Sequence, residues 1–217
     1  MKKHLSLLIC LWLLILLTTA CELSPTLGGE IVSSGGILFK DDFSDPSSGW
    51  MQGEDEFGKT EYANGGFRIL VTSDVTGKIS IPRLLFADTV IEVDASKVAG
   101  SDDNDYGVIC RYQDENNFYF FEISSDGYYL IGKFKDNKLV LIGMEQMQTS
   151  DHIRQGQSTN RIRAACTGSS LSLSVNGHLL KEVQDADFSS GDVGLIAGTF
   201  ETPGTDILFD NFKVFKP

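Results

Sequence analysis

The chain has 217 residues, 41% hydrophobic and 22% charged, with 22 Gly, 14 Phe and 5 Pro, the make-up of one compact globular domain rather than a disordered or fibrous chain. Its 30 acidic and 18 basic residues give a formal net charge of −12 at pH 7. Such a surface excludes nucleic acid and anionic lipid headgroups as electrostatic partners, because both are bound by basic clusters.

Lys2, Lys3 and His4 precede an apolar run from Leu5 to Leu17, and then Thr18-Thr19-Ala20-Cys21 follows, the charged, apolar and small-residue order of an export signal. The run is too short to cross a bilayer core of roughly 30 Å as a helix. A small residue directly before Cys21 resembles the lipobox of bacterial lipoproteins, in which the thiol is acylated and the cysteine becomes the new N-terminus. Thr18 departs from the preferred Leu at its place, which leaves a plain secretory signal or an uncleaved anchor as alternatives. On the lipoprotein reading, residues 1–20 are a signal peptide and Cys21 carries the lipid. Residues 21–36 are then a lipidated, Gly- and Ser-rich flexible tether. The domain stands outside the cytoplasm in a bacterial cell envelope, and its membrane partner is reached through acyl chains worth about 0.8 kcal/mol per buried methylene.

The folded part is expected over residues 37–217. Short runs rich in aromatic and β-branched residues recur there between turn clusters: 66–72, 89–98, 106–113, 118–123, 128–134, 139–143, 160–167, 171–175, 178–183, 193–200 and 206–215. Asn176-Gly177 is a two-residue hairpin signal, since both central positions need positive φ. No run has a sustained helical period, apart from a turn or short helix within 145–152. The fold class is therefore all-β and mostly antiparallel.

Alternation assigns faces in the central meander. With Val108, Cys110 and Tyr112 inward, the turn at 114–117 makes Tyr119, Phe121 and Ile123 inward, and the next hairpin adds Tyr128 and Leu130. The opposite face then carries Ile109, Arg111, Phe118, Phe120, Glu122, Tyr129, Ile131 and Lys133, a mixture of rings and charges too polar for an ordinary core. Ile162, Ala164 and Cys166 share another inward face. Cys110 and Cys166 thus remain as an even pair in an oxidising compartment, either bridged or as two buried thiols. His152 and His178, distant in sequence, offer no zinc-like spacing.

Three stretches carry a family resemblance: Asp41-Asp42-Phe43 through Gly49-Trp50, Tyr106 to Tyr112 with Asn117 to Ile123, and Phe209-Asp210-Asn211-Phe212-Lys213-Val214. In order and spacing they resemble the concanavalin A-like lectin/glucanase superfamily, in the flavour of 3-keto-disaccharide hydrolase or laminin-G-like domains of bacterial lipoproteins. The resemblance implies a jelly-roll sandwich of two antiparallel sheets, one of them concave. The face bearing Arg111, Phe120, Glu122 and Tyr129 becomes the candidate ligand-binding surface, with a glycan as the implied partner. Jelly-roll relatives often hold a structural calcium near the two ends of the domain, which singles out Asp41, Asp42 and Asp210; no other cofactor is required. The run Asp102-Asp103-Asn104-Asp105 is a second oxygen-rich candidate, or simply a solvated acidic turn.

Catalytic signatures are incomplete. Laminarinase-type relatives carry Glu, Asp two residues on and a second Glu on one strand face, whereas Glu92-Val93-Asp94 continues here as Ala95-Ser96-Lys97. No Gly-x-Ser-x-Gly elbow or phosphate-cradling loop occurs. Sugar binding asks less: rings for the CH faces and a few polar groups for the hydroxyls. The rival reading is that Arg111 and Glu122 pair across strands while the rings pack beneath a loop at 145–157, and Trp50 reads as core. The sequence thus points to a lipid-anchored, non-catalytic carbohydrate-binding module, with a 3-keto-disaccharide hydrolase-type enzyme and a surface-assembly interaction module as alternatives.

Overall fold

The computed structural model describes residues 35–74 and 76–217. The expected signal peptide and Cys21 lie outside the described residues, as does all but the end of the tether. In chain order the strands are β1 (Ile37–Asp41), β2 (Gly53–Asp55), β3 (Gly58–Ala63), β4 (Gly66–Val71), β5 (Thr76–Ser80) and β6 (Thr89–Ala99). The central meander follows with β7 (Asn104–Asp114), β8 (Asn117–Ile123), β9 (Tyr128–Lys135), β10 (Lys138–Leu141) and β11 (Gln148–Thr149). The last strands are β12 (Thr159–Thr167), β13 (Ser170–Val175), β14 (His178–Gln184), β15 (Asp192–Thr199) and β16 (Thr205–Phe215). The described residues contain no helix, and the stretch expected as a turn or short helix at 145–152 forms a loop and the two-residue β11.

The strands form two antiparallel sheets. One runs β14-β13-β12-β6-β16-β4-β3-β2 with β1 also on β16, and the other runs β10-β9-β8-β7-β15-β5 with β11 also on β9. The pairings β6–β16 and β7–β15 join strands far apart in sequence, the crossovers of a jelly roll. Alternating apolar residues of both sheets meet in one core: Ile91, Val93 and Ala95 of β6, Ile162 and Ala164 of β12, and Tyr106 and Val108 of β7, all essentially without exposed surface. Trp50 is part of this core, 4.9 Å from the Phe212 ring and 5.3 Å from Phe43. Its indole N–H donates to the Asp41 carboxylate at 2.9 Å, so the opening and closing motifs pack together at one end of the sandwich.

The outer faces of the two sheets differ in kind. On the larger sheet Glu92 pairs with Arg163, and Asp94 accepts from Arg161 at 2.8 Å. Arg68 holds Asp206 at 2.7 Å on the same sheet. Glu92 and Asp94, the residues nearest a glucanase pattern, are thus spent in a solvated charge lattice. On the smaller sheet the outer face is apolar: Ile109, Phe118, Phe120, Leu130 and Ile196 form a second buried cluster, edged by Tyr112, Phe134, Met144 and Met147.

Face assignments from alternation hold on β8 and fail on either side of it. On β7 the register slips between Cys110 and Asp114, and Arg111 takes φ 52, the left-handed geometry of a bulge. Beyond the bulge Tyr112 lies outward, its ring 5.6 Å from Phe118. On β9 the pairs Ile123↔Tyr129 and Glu122↔Leu130 show a turn with an odd number of residues, closed by Gly127 at φ 96. A type I turn followed by a positive-φ glycine is a standard odd hairpin closure. It reverses the expected parity: Tyr129, Ile131 and Lys133 point inward, and Leu130 points outward.

Candidate functional site

Cross-strand rows on the outer face of the smaller sheet build the site. Ile196, Gly107, Glu122 and Leu130 stand side by side across four strands, and the next row places Asp105 beside Gly198, which pairs in turn with Gly77. The glycines leave space above the sheet, and the result is a groove of about 390 Å³. Phe120, Phe134 and Phe200 supply rings to its lining, Leu139, Leu141 and Met147 one wall, and Asp105 and Glu122 its carboxyls. Phe120 is almost fully buried and packs over Gly132, where any side chain would strike the ring at 2.4 Å. The half-buried Phe134 and Phe200 are the rings that a ligand could touch. A neighbouring recess of about 520 Å³ shares Met147 and Phe200 and adds Asp103 and Asp126.

The electrostatics of the groove are one-sided. Glu122 is 4% exposed, and burial, then the Asp105 charge, pushes its carboxyl well above the usual range, with no hydrogen bond or cation acting against them. Burial, then Asp103, raises Asp105 to about 6, only partly offset by the Gly198 backbone. None of the lining residues of the groove or the recess is a lysine or arginine. The groove combines apolar walls with a few fixed acceptors, the general composition of a small-ligand site.

Of the sequence-selected ligand residues, Phe120 and Glu122 line this groove, whereas Arg111 and Tyr129 do not. Because of the bulge, Arg111 turns to the end of the sandwich and is 2% exposed. Its guanidinium donates to the carbonyls of Gly168 at 2.9 Å and Phe188 at 2.8 Å and to Asp88 at 3.0 Å. It therefore ties the smaller sheet to loops of the larger one, and the cross-strand pair with Glu122 does not form. Tyr129, inverted by the odd turn, donates its hydroxyl proton to Gln148 Oε1 at 3.0 Å, with the Leu180 carbonyl also within reach at 3.3 Å, from within the core. Asp105, Phe134, Phe200 and Met147 escaped the sequence reading. Asp105 reads as one of an acidic run, although its spacing of two from Gly107 and four from Ile109 places all three on one strand face.

Cys110 of β7 and Cys166 of β12 are joined by a disulfide with a Cα separation of 6.8 Å, one sheet to the other. The carboxylates named for calcium each accept hydrogen bonds within the domain. Asp41 accepts from Trp50, Ser48 and the Phe43 backbone, Asp42 from Ser44, and Asp210 from the Asn211 backbone. The recess beside Asp41 and Asp42 is also lined by Lys40 and Lys213, which repel a cation. Asp102 pairs with Lys97, away from Asp105 in the groove. His152 and His178, far apart in sequence, stack with ring centroids 3.8 Å apart. Among the described residues no three His, Cys, Asp or Glu side chains are grouped to hold a metal ion.

The sequence matches no protein-family model and no curated protein. Its fold is nonetheless shared with solved structures. A carbohydrate binding module from Bacillus subtilis superposes with a TM-score of 0.63 at 16% identity, covering 78% of this chain and 96% of that one. A Bacillus subtilis protein of unknown function with a galectin-like fold gives 0.60 at 12% identity, over 83% and 96%. A Bacillus licheniformis beta-glucanase gives 0.60 at 10% identity, over 85% and 100%. These likenesses show the fold: the chain is an antiparallel two-sheet jelly-roll domain.

Proposed function

We propose that this protein is a carbohydrate-binding module that holds a saccharide in the groove over Asp105 and Glu122 without transforming it. The observation that carries the reading is a buried carboxyl, Glu122, with no hydrogen-bond or ion-pair partner among the described residues, in a groove lined mainly by apolar side chains. A folding domain gains nothing from such a group, while a ligand hydroxyl or other donor would satisfy it. The half-buried rings of Phe134 and Phe200 would stack on CH faces. The likeness in fold to a carbohydrate binding module supports the reading. The test is a glycan array with Ser33–Pro217, which is a compact unit by itself, run in calcium and again in EDTA. Selective binding that is lost in Glu122→Gln is expected; an array blank in both buffers overturns the reading.

One observation favours a hydrolase as the second reading. Two neighbouring carboxyls with raised pKa values in a groove are the raw material of acid–base chemistry. Release of reducing sugar from any bound oligosaccharide, abolished by Glu122→Gln, would replace binding with catalysis.

Attachment to a membrane of the cell envelope through acylated Cys21 is part of the proposal, with the domain on the extracytoplasmic side. Labelled palmitate should enter the wild-type protein and not Cys21→Ala. Equal labelling of both would remove the anchor.

A further inference from the structure

We propose that the groove selects saccharides bearing a free amine, with the ammonium seated between Asp105 and Glu122. This rests on the reading of the groove as a sugar site and goes further by naming the class of sugar. The ionisable side chains lining the groove are Asp105 and Glu122, while the buried Thr199 spends its hydroxyl proton on the Thr202 carbonyl at 2.7 Å, so no cationic donor lines it. Burial favours the neutral form of both carboxyls, and a neutral sugar hydroxyl gives them no reason to ionise. An ammonium has three donors and no acceptor, so it would hold both carboxyls in the ionised form, in which they only accept. The charge arithmetic points the same way. The buried Glu122 and the half-buried Asp105, on adjacent strands, are flanked by Asp103 and Asp126 in the adjoining recess and faced by no lysine or arginine of either lining. Their joint ionisation is therefore opposed by repulsion that only the Gly198 backbone partly offsets at Asp105. A uronic acid or a sugar phosphate would add to that repulsion, and a ligand cation would relieve it. The half-buried Phe134 and Phe200 are placed to stack on the ring that carries the amine, where a cation close to an aromatic face is also favoured.

Calorimetric titration of Ser33–Pro217 at pH 7 with four probes tests this. The probes are glucosamine oligosaccharides, their N-acetylated counterparts, neutral cello-oligosaccharides and an oligolysine of matched charge. Glucosamine oligomers are expected to bind at least about tenfold tighter than the other three, and to lose about tenfold or more in each of Glu122→Gln and Asp105→Asn, in line with charge-assisted hydrogen bonds. The two variants guard against one of them simply failing to fold. If the N-acetylated or neutral oligomers bind as well and the variants change nothing, the amine proposal falls and the sugar site stands. If oligolysine binds as tightly as the amino sugar, binding is only attraction to an acidic surface, and the proposal falls. If no saccharide binds, both the proposal and the sugar site fall together.

Discussion

Glu122 and Arg111 stand eleven residues apart and are both almost fully buried, yet they act oppositely on the fold. Glu122 has a folded pKa above the unfolded value of about 4.3. Below that value the carboxyl is neutral in both states and costs nothing; as pH rises above it, the charged form is favoured by unfolding and stability falls. Glu122→Gln should therefore raise Tm at pH 8 and barely move it at pH 4, a gain in stability alongside a loss of binding. Equal Tm values at pH 8 would show that the carboxyl is already solvated. Arg111 is satisfied on all sides, and Arg111→Ala would strip the carbonyls of Gly168 and Phe188 of their donors. The expected loss is about 3 kcal/mol, a fall in Tm of roughly 10 °C, with ligand affinity of the remaining folded protein unchanged. A variant that folds normally but no longer binds would return Arg111 to the groove.

Among the elements, β7 bears the most varied duties. Its first half places Asp105, Gly107 and Ile109 on the groove side and Tyr106, Val108 and Cys110 in the core. The bulge at Arg111 then redirects the chain toward the larger sheet. Cys110 is bonded there to Cys166 on β12, 56 residues on, so β7 is clamped to the opposite sheet by a disulfide and, one residue later, by a guanidinium. Chain-entropy reasoning gives a cross-link closing a loop of this length about 4 kcal/mol of stabilisation. Chemical denaturation with and without reductant, or of the double Cys→Ser variant, should show a drop of that size. An unchanged midpoint would mean that the clamp adds nothing to stability. The loop between β10 and β11 contributes Met144 and Met147 to the outer cluster, which confines the open part of that face to the groove over Asp105 and Glu122.

At the scale of the molecule, acidic groups fall into two populations. Asp94 on the larger sheet and Asp185 in the loop after β14 are paired, and their pKa values are lowered. Arg161 acts on Asp94, and Lys133, helped by Tyr119, outweighs the burial of Asp185. Their stabilisation is present above the unfolded pKa of about 3.9 and is lost as pH falls through the lower folded values. Glu122, Asp105 and Asp192 are raised by burial, the last two to about 6, and their cost appears as pH climbs from about 4 through 6. The two windows meet in mildly acidic solution, so Tm should peak near pH 4 to 5 and decline toward pH 8, helped downward by the repulsion of a net −12 chain. A maximum at or above pH 7 would contradict this division.

The amino-acid sequence by itself determined the class of fold, because strand periodicity, turn chemistry and the aromatic motifs at both ends are local signals that all agree. The outward, polar setting of Glu92 and Asp94 follows from alternation within a single strand and is legible for that reason. The same logic brought Phe120 and Glu122 to one face of β8. What alternation could not carry was parity across irregular connections: two extra residues in β7 moved Tyr112 outward, and one odd turn exchanged Tyr129 for Leu130. Nor could it bring together Asp105, Glu122, Phe134 and Phe200, which come from four strands or their ends and meet only once β15 has crossed over to pair with β7. Periodicity is a property of a segment, and it was readable from the chain. The groove is a property of register between segments, and only the tertiary structure decided it.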